Sequence, residues 1–278
     1  MVQATPALQA MGAEAHTIDI NLFPDGPYDD VVDILKIPCI RNVYLRAIDI
    51  EEDYDYQLIG PFVQNNIRFR AKKFLTYKTN YKTPTPEAET YYNLVQRIGI
   101  TTPIPEIRIN SGNGRCKYQD MVVLYPGCKT GWSFKKWDKW DLLASHFPIV
   151  HVVGKAEDFI APSWANRKWN WPKHVSFIEG SLQQVANHIA NCKFYIGNDG
   201  GISHIAAATG VKTIVIFGAT NPSKNKPFAK NAKVCAINIP CRPCQWKSDW
   251  NELCRTMDCP QHLSCLRDLS IENVLSIT

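Results

Sequence analysis

From Met121 onward the chain alternates short apolar runs with segments of helical period, and few folds accommodate that alternation. Met121-Val122-Val123-Leu124-Tyr125 is an apolar run ended by Pro126-Gly127, and Ile149-Val150-His151-Val152-Val153 ends at Gly154. Phe194-Tyr195-Ile196 and Lys212 to Phe217 are two further strand-length runs. Between them, Trp137 to Phe147 has helical apolar spacing. Ser181 with Gln184 forms a capping box ahead of Leu182, Val185, Ala186 and Ile189 on one helical face. Ile202 to Thr209 is predicted as a helix stopped by Gly210. Apolar strands separated by helices mean a parallel α/β sheet.

The first part of the chain is less patterned. Thr5 to Met11 reads as a short helix with Pro6 at its start. Ala15 to Ile20 and Tyr56 to Ile59 read as strands, Val31 to Leu35 and Glu87 to Arg97 as helices. Ile104 to Gly114 reads as an edge strand and a loop rich in turn residues, which places a domain boundary at about residue 115. The two units are then 1–115 and 116–278. No internal repeat is evident.

A chain of 278 residues with 45% hydrophobic and 21% charged content can bury a substantial core, which excludes a disordered or fibrous protein. No apolar run reaches the roughly 20 residues of a membrane span. The start of the chain lacks the basic region and apolar core of a signal peptide, so the expectation is a cytoplasmic protein with at most peripheral membrane contact. The net charge of +5 is spread along the chain, with clusters at Lys135-Lys136 and from Lys224 to Lys233. That is too dilute for a dedicated nucleic-acid binder but enough to attract an anionic ligand.

In a parallel α/β sheet, ligands sit beyond the carboxyl ends of the strands. Three such ends carry informative residues: Pro126-Gly127-Cys128-Lys129-Thr130 followed by Ser133 and Lys135-Lys136-Trp137; Gly197-Asn198-Asp199-Gly200-Gly201-Ile202-Ser203-His204; and Phe217-Gly218-Ala219-Thr220-Asn221-Pro222. In the second, a glycine pair opens a helix whose first N–H groups can hold a phosphate. Asp199 can accept from sugar hydroxyls, and His204 falls in the first helical turn. A tight strand–helix turn with a capping Asp would look the same. Trp164, Trp169 and Trp171 could line a ligand surface, but such a cluster more often packs a loop onto a sheet. Asp53-Tyr54-Asp55 reads as a solvated acidic loop.

Taken together, these segments resemble glycosyltransferase family 9, the ADP-heptose heptosyltransferases. Tyr195 to Ala208 is similar to the family's donor-site signature, and Phe217 to Pro222 to its Gly-Pro-Thr-Asp-Pro, with Asn221 where Asp is usual. Tyr125-Pro126-Gly127 and Lys135-Lys136-Trp137 resemble its Pro-Gly-Ala and Lys-Arg-Trp; Thr5-Pro6-Ala7-Leu8 matches its first helix. The resemblance implies a GT-B arrangement of two Rossmann-like domains, the N-terminal one on the acceptor side and the C-terminal one binding the donor. It implies inverting transfer of a heptose or related sugar from an ADP-sugar to a glycan or protein hydroxyl, with no catalytic divalent metal. Lys135 and the Gly200–Gly201 backbone would then meet the diphosphate, and Asp199 the heptose hydroxyls with His204 close by. Thr130 and Ser133 would add phosphate contacts, and Glu157 would reach the ribose. A homo-oligomer is compatible with this reading. The family's general base, an Asp after its first strand, would fall one position before Met1, so that strand and that base are expected to lie outside these residues. Nothing in the spacing of Asp25, Asp29 or Asp30 supports a substitute. The rival reading is a catalytically impaired or non-catalytic sugar-nucleotide- or glycan-binding protein on the same fold.

Six of the ten cysteines lie between Cys235 and Cys265, whereas Cys39, Cys116, Cys128 and Cys192 are scattered and read as buried thiols. A local cluster in a cytosolic chain favours metal over disulfides. Cys241-x2-Cys244 offers two thiolates from one turn, and a later pair would close a four-thiolate site. The segment resembles the iron finger of autotransporter heptosyltransferases. That resemblance selects Cys241, Cys244, Cys259 and Cys265 as ligands of one structural iron or zinc, with Cys254 in an inserted stretch and His262 as alternate.

Overall fold

The computed structural model describes residues 4–14, 16–22, 39–45, 53–59, 70–76, 84–109, 120–244, 259 and 261–278. The expected helix at Val31 to Leu35, Asp25, Asp29, Asp30, Cys116, Cys254 and the boundary near residue 115 lie outside them.

The C-terminal half is built on six parallel strands: β5 (Met121–Tyr125), β6 (Ile149–Val153), β7 (Val175–Ile178), β8 (Phe194–Asn198), β9 (Lys212–Ile216) and β10 (Ala232–Cys235), in the order β10-β9-β8-β5-β6-β7. Alternate residues of each strand face opposite sides. Val122 and Leu124 join a core with Trp137, Trp140, Leu143 and the C-terminal Leu266, Leu269 and Val274. Met121, Val123 and Tyr125 pack on the other face against Val185, Ile189 and Ala206. Both faces of β5 are covered, which is why that strand reads as an unbroken apolar run.

The helices of this half are α3 (Trp140–Ala144), α4 (Leu182–Ala190), α5 (Gly201–Thr209), α6 (Pro222–Asn225), α7 (Ser264–Arg267) and α8 (Ile271–Leu275). The Ser181–Gln184 capping box opens α4, and Gly210, at φ 89°, ends α5 in the left-handed region. The helix expected over Trp137 to Phe147 is shorter than its pattern. Trp137 NH donates to the Asn198 side chain at 3.2 Å, so its apolar neighbours pack from extended chain and one short helix. Strands β7 and β10, four residues each, were not anticipated.

In the N-terminal half, α1 (Thr5–Ala13) and α2 (Glu87–Gln96) pack together over β1 (Ile18–Leu22). Among the described residues its strands form two parallel pairs, β1 with β2 (Ile40–Leu45) and β3 (Tyr54–Ile59) with β4 (Ala71–Thr76), rather than one sheet. Two expectations are corrected here. Tyr54 and Asp55 lie in β3 and not in a loop, although Asp55 is exposed and pairs with Lys72 at 2.7 Å. Residues 104–109 form no strand; instead Ile109 NH bonds to Ala208 O and ties this segment to the end of α5. None of the described helices is long and apolar enough to cross a membrane.

Candidate active site at the switch point

The chain runs from β5 outward to β6 and β7, then returns to β8 on the other side of β5. The crevice beyond the carboxyl ends of β5 and β8 is therefore the topological switch point, where open α/β sheets bind ligands. Asn198, fully buried at the end of β8, closes its base: its Nδ2 donates to Pro126 O at 2.7 Å and to Gly127 O at 3.2 Å, while its Oδ1 accepts from Trp137 NH. Ser203 Oγ donates to Asn198 O at 2.7 Å and lies 3.0 Å from the Tyr195 hydroxyl. Asn198, Ser203 and Tyr195 are thus joined in one network.

Above that base, three strand ends converge on one carboxylate oxygen. Asp199 Oδ2 accepts from Lys135 Nζ at 2.6 Å and from Thr220 Oγ1 at 2.6 Å. Lys135 lies in the turn Ser133–Lys135, with its Nζ 5.1 Å from the centroid of the Trp132 ring. Lys135 and Asp199 side chains retain 13% and 7% of their exposure, enough to meet a ligand at the surface of the crevice. An ammonium has three donors and a carboxylate two oxygens, so each keeps capacity beyond this pair. The first turn of α5 adds N–H groups without intrahelical partners and the positive end of a helix dipole.

Gly200 is extended at φ −176°, so its glycine is not required by the backbone. Nor does the surrounding protein require it at the pair: a Cβ on Gly201 would meet nothing within 4 Å, and one on Gly200 would lie 3.8 Å from the Tyr125 ring. The tight glycines of the site are Gly197, where a Cβ would sit 2.1 Å from the Tyr195 hydroxyl, and Gly127, where it would sit 2.4 Å from Asp158 Cγ. Gly218 is also closely packed, 2.9 Å from Leu266 Cγ at the Cβ position.

The other expected site residues are distributed around this centre. Thr130 is exposed on the loop after β5. Ser133 is half-buried, and its carbonyl accepts from Trp164 Nε1. Glu157 is exposed after β6, its carbonyl accepting from Lys136 Nζ at 2.9 Å. Lys136, buried and with its pKa lowered by that burial, serves the loop and not the crevice, bonding Ile160 O as well. His204 is buried; desolvation pulls its pKa down to about 4 against the opposing charge of Asp199, so the imidazole is neutral at pH 7. Each of Trp164, Trp169 and Trp171 donates its indole N–H to a backbone carbonyl, which is the loop-packing role. The part of Thr220 as Asp199's second donor was not read from sequence; its signal was a polar residue just past a parallel strand.

Among the described residues no group of three or more His, Cys, Asp or Glu side chains is arranged to hold a metal ion, so the expected knuckle is not shown. The four selected cysteines are nevertheless neighbours. Burial first, then the charges of Cys244, Cys259 and Cys241, push the Cys265 thiol up to about 12. Cys244 and Cys259 pack with Phe134 beneath the Lys135 turn, and Cys244 NH donates to Ala219 O. Of the scattered thiols, Cys192 is buried while Cys39 and Cys128 are half-buried.

Residues 178–254 match the profile of glycosyltransferase family 9 (heptosyltransferase). The chain is 24% identical over 250 residues to lipooligosaccharide heptosyltransferase 2 of Campylobacter jejuni serotype O:2, covering 83% of this chain and 74% of that one. These likenesses support a transferase enzyme. Among solved structures, Escherichia coli ADP-heptose LPS heptosyltransferase II superposes with a TM-score of 0.62 at 16% identity, over 93% of this chain and 96% of that one. The iron-containing dodecameric glycosyltransferase TibC of enterotoxigenic E. coli superposes with a TM-score of 0.64 at 14% identity, over 98% of this chain and 70% of that one. Structural likeness at such identities shows the fold: the α/β architecture with a parallel-sheet core of the GT-B heptosyltransferases.

Proposed function

We propose that the chain transfers a heptose, or a closely related sugar, from an ADP-sugar to an acceptor hydroxyl with inversion, in building a lipopolysaccharide-type glycan. The observation that carries this reading is the convergence of Lys135, Asp199 and Thr220 in front of α5 at the switch point. Lys135 and the α5 N-terminus supply positive potential to a departing diphosphate, stabilising the charge that develops as the glycosidic bond breaks. Asp199, held in place by Thr220 and Lys135, offers its remaining acceptor capacity to the sugar hydroxyls. A glycan acceptor is supported by the lipooligosaccharide enzyme above; a protein hydroxyl remains the second acceptor class.

We further propose that Cys241, Cys244, Cys259 and Cys265 hold one structural iron or zinc. The support is a donor set of soft thiols brought close together: Cys244 and Cys259 pack on one cluster, and Cys265 lies near enough to Cys244, Cys259 and Cys241 for them to raise its pKa. A four-thiolate site leaves no open position, so the ion would brace the fold and take no part in transfer. Elemental analysis of reduced protein should find about one metal per chain, and chelation should lower the melting temperature; protein without metal rejects the assignment.

Incubation with ADP-heptose and a lipopolysaccharide core acceptor tests the transfer reading. Release of ADP with a heptosylated product supports it. Thermal stabilisation by ADP-heptose without ADP release would leave a sugar-nucleotide-binding protein. A calorimetric screen of ADP-, GDP- and UDP-sugars fixes the nucleotide.

A further inference from the structure

The sequence places Lys224 in a basic cluster suited to attracting anions, but the fold removes it from that role. Lys224 is 2% exposed, and its Nζ lies 3.1 Å from Glu87 Oε2. Glu87, also buried, is the first residue of α2 in the N-terminal half, while Lys224 belongs to α6 in the C-terminal half. Two opposite charges are thus taken out of water where the halves meet.

Such a pair is a poor device for stability alone. Desolvating both charges offsets most of their attraction, and apolar side chains of similar volume often stabilise as well or better. It does impose one geometry, because any slide of one half against the other leaves two buried charges apart. Both ends are anchored. On one side Ala88, Tyr92, Leu94 and Val95 bury α2 in the N-terminal half. On the other, Asn221 caps α6 through Ser223 NH, and Thr220 just before it donates to Asp199 beside Lys135.

We propose that Glu87 and Lys224 are positioning residues, fixing the N-terminal half against the loop from Phe217 to Asn225 so that an acceptor on one half meets a donor on the other. The catalytic consequence rests on the transferase reading above; the geometric one does not. Holding two reactants in register is worth orders of magnitude in rate, and small displacements forfeit it.

The test uses Glu87→Gln and the double variant Glu87→Leu/Lys224→Met. Fluorescent labels are introduced through unnatural residues at the exposed positions Arg97 and Lys173, because the chain has ten cysteines. The wild type should give one narrow distance distribution and Glu87→Gln a broad one. The double variant should regain thermal stability while its distribution stays broad. In the transfer assay, kcat of both variants should fall about tenfold or more, while ADP affinity, which is assigned to Lys135 and the start of α5 and to neither replaced residue, is unchanged. Unaltered distance distributions in both variants overturn the proposal, as does a double variant in which kcat returns together with the melting temperature, the result of a merely structural pair. A wild type that releases no ADP defeats the transferase reading, and the distance measurement still decides what the pair does.

Discussion

In the C-terminal half every residue of β5 and β8 is buried, whereas in the N-terminal half β4 exposes Lys72, Lys73 and Phe74 to solvent. Polar groups follow the same division. Asn198, Ser203 and Tyr195 are bonded to one another inside the C-terminal half, while the N-terminal strands are laced by ion pairs, Lys72 to Asp55 and Arg41 to Asp19. Asp19 accepts from Arg41 at 2.6 Å, from Tyr54 OH at 2.8 Å and from Asn42 NH, and the Arg41 bond leads in lowering its pKa to about 2. The difference teaches that the half carrying the candidate site is organised from a two-faced core outward. The described strands of the other half are joined also by side-chain bonds between charged and polar groups, which run from the buried Asp19 carboxylate to the exposed Lys72–Asp55 pair.

The largest expected break in that contrast comes from Trp137. Its ring is fully buried, stands edge-on to Trp140 with centroids 5.4 Å apart, and donates Nε1 to Leu269 O. Trp137→Ala should cost about 3–5 kcal/mol, through lost burial and the cavity left behind. Hydrogen exchange should show lost protection over β5 and β8 with β1 and α2 spared. Equal loss in both halves would mean that they unfold as one unit.

Acid separates the halves by a different route. His204 has a folded pKa near 4, below its unfolded value of 6.5, so the unfolded chain takes the proton first and stability is lost as pH falls through that interval. His151 and His188, with ring nitrogens 2.6 Å apart and pKa values lowered by burial, add in the same direction. Asp19, held near 2 against 3.8, keeps its contribution until the pH drops below 3.8. Amide exchange from pH 7 to 3 should therefore show the C-terminal half weakening first, and His204→Gln should flatten its slope between pH 6.5 and 4. Simultaneous weakening in both halves contradicts the assignment.

How much of this was legible follows from burial. Met121 to Tyr125 and Ile149 to Val153 read correctly to the residue, the first because a strand covered on both faces must be apolar, the second because Val150, Val152 and Val153 are buried and Gly154 ends the run. Strands β2 and β4 were missed because Arg41, Asn42, Lys72 and Lys73 break any apolar pattern in chains of half-exposed strands. At the site, the placement of Lys135, Asp199 and the glycine pair beyond strand ends was readable from the strand pattern. Their mutual pairing was not, since Lys135 and Asp199 are 64 residues apart and meet only through the β5–β8 register. Likewise nothing local in the sequence says that Lys224 faces Glu87 instead of solvent.

Lys135→Ala sharpens the contrast at the site itself. It removes a charge-assisted donor from the crevice, a bond of about 1.5–3 kcal/mol, so ADP affinity should fall roughly ten- to a hundredfold. Asp199→Asn keeps the shape and Thr220's partner but discharges Lys135's counter-ion, and should weaken sugar recognition more than ADP binding. Calorimetry with ADP and ADP-heptose checks both; equal losses for the two ligands would detach Asp199 from the sugar.

The smallest effect concerns helix starts. In the C-terminal half, side chains cap α4, α6 and α8 through Ser181, Asn221 and Ser270. In the N-terminal half α1 follows Ala4 and α2 follows Pro86, neither with a side-chain cap. Ser181→Ala should cost about 1 kcal/mol, because Gln184 NH loses its acceptor. Pro86 has φ −53° and ψ 141°, a backbone in which a serine can cap α2. Pro86→Ser should nevertheless come out near neutral: the gained cap, about 0.5–2 kcal/mol, is opposed by about 0.4–1 kcal/mol from the freedom that losing proline returns to the unfolded chain. Urea midpoints of the two variants check this. A clear gain from Pro86→Ser would show that the N-terminal half is held below its attainable stability by its helix starts.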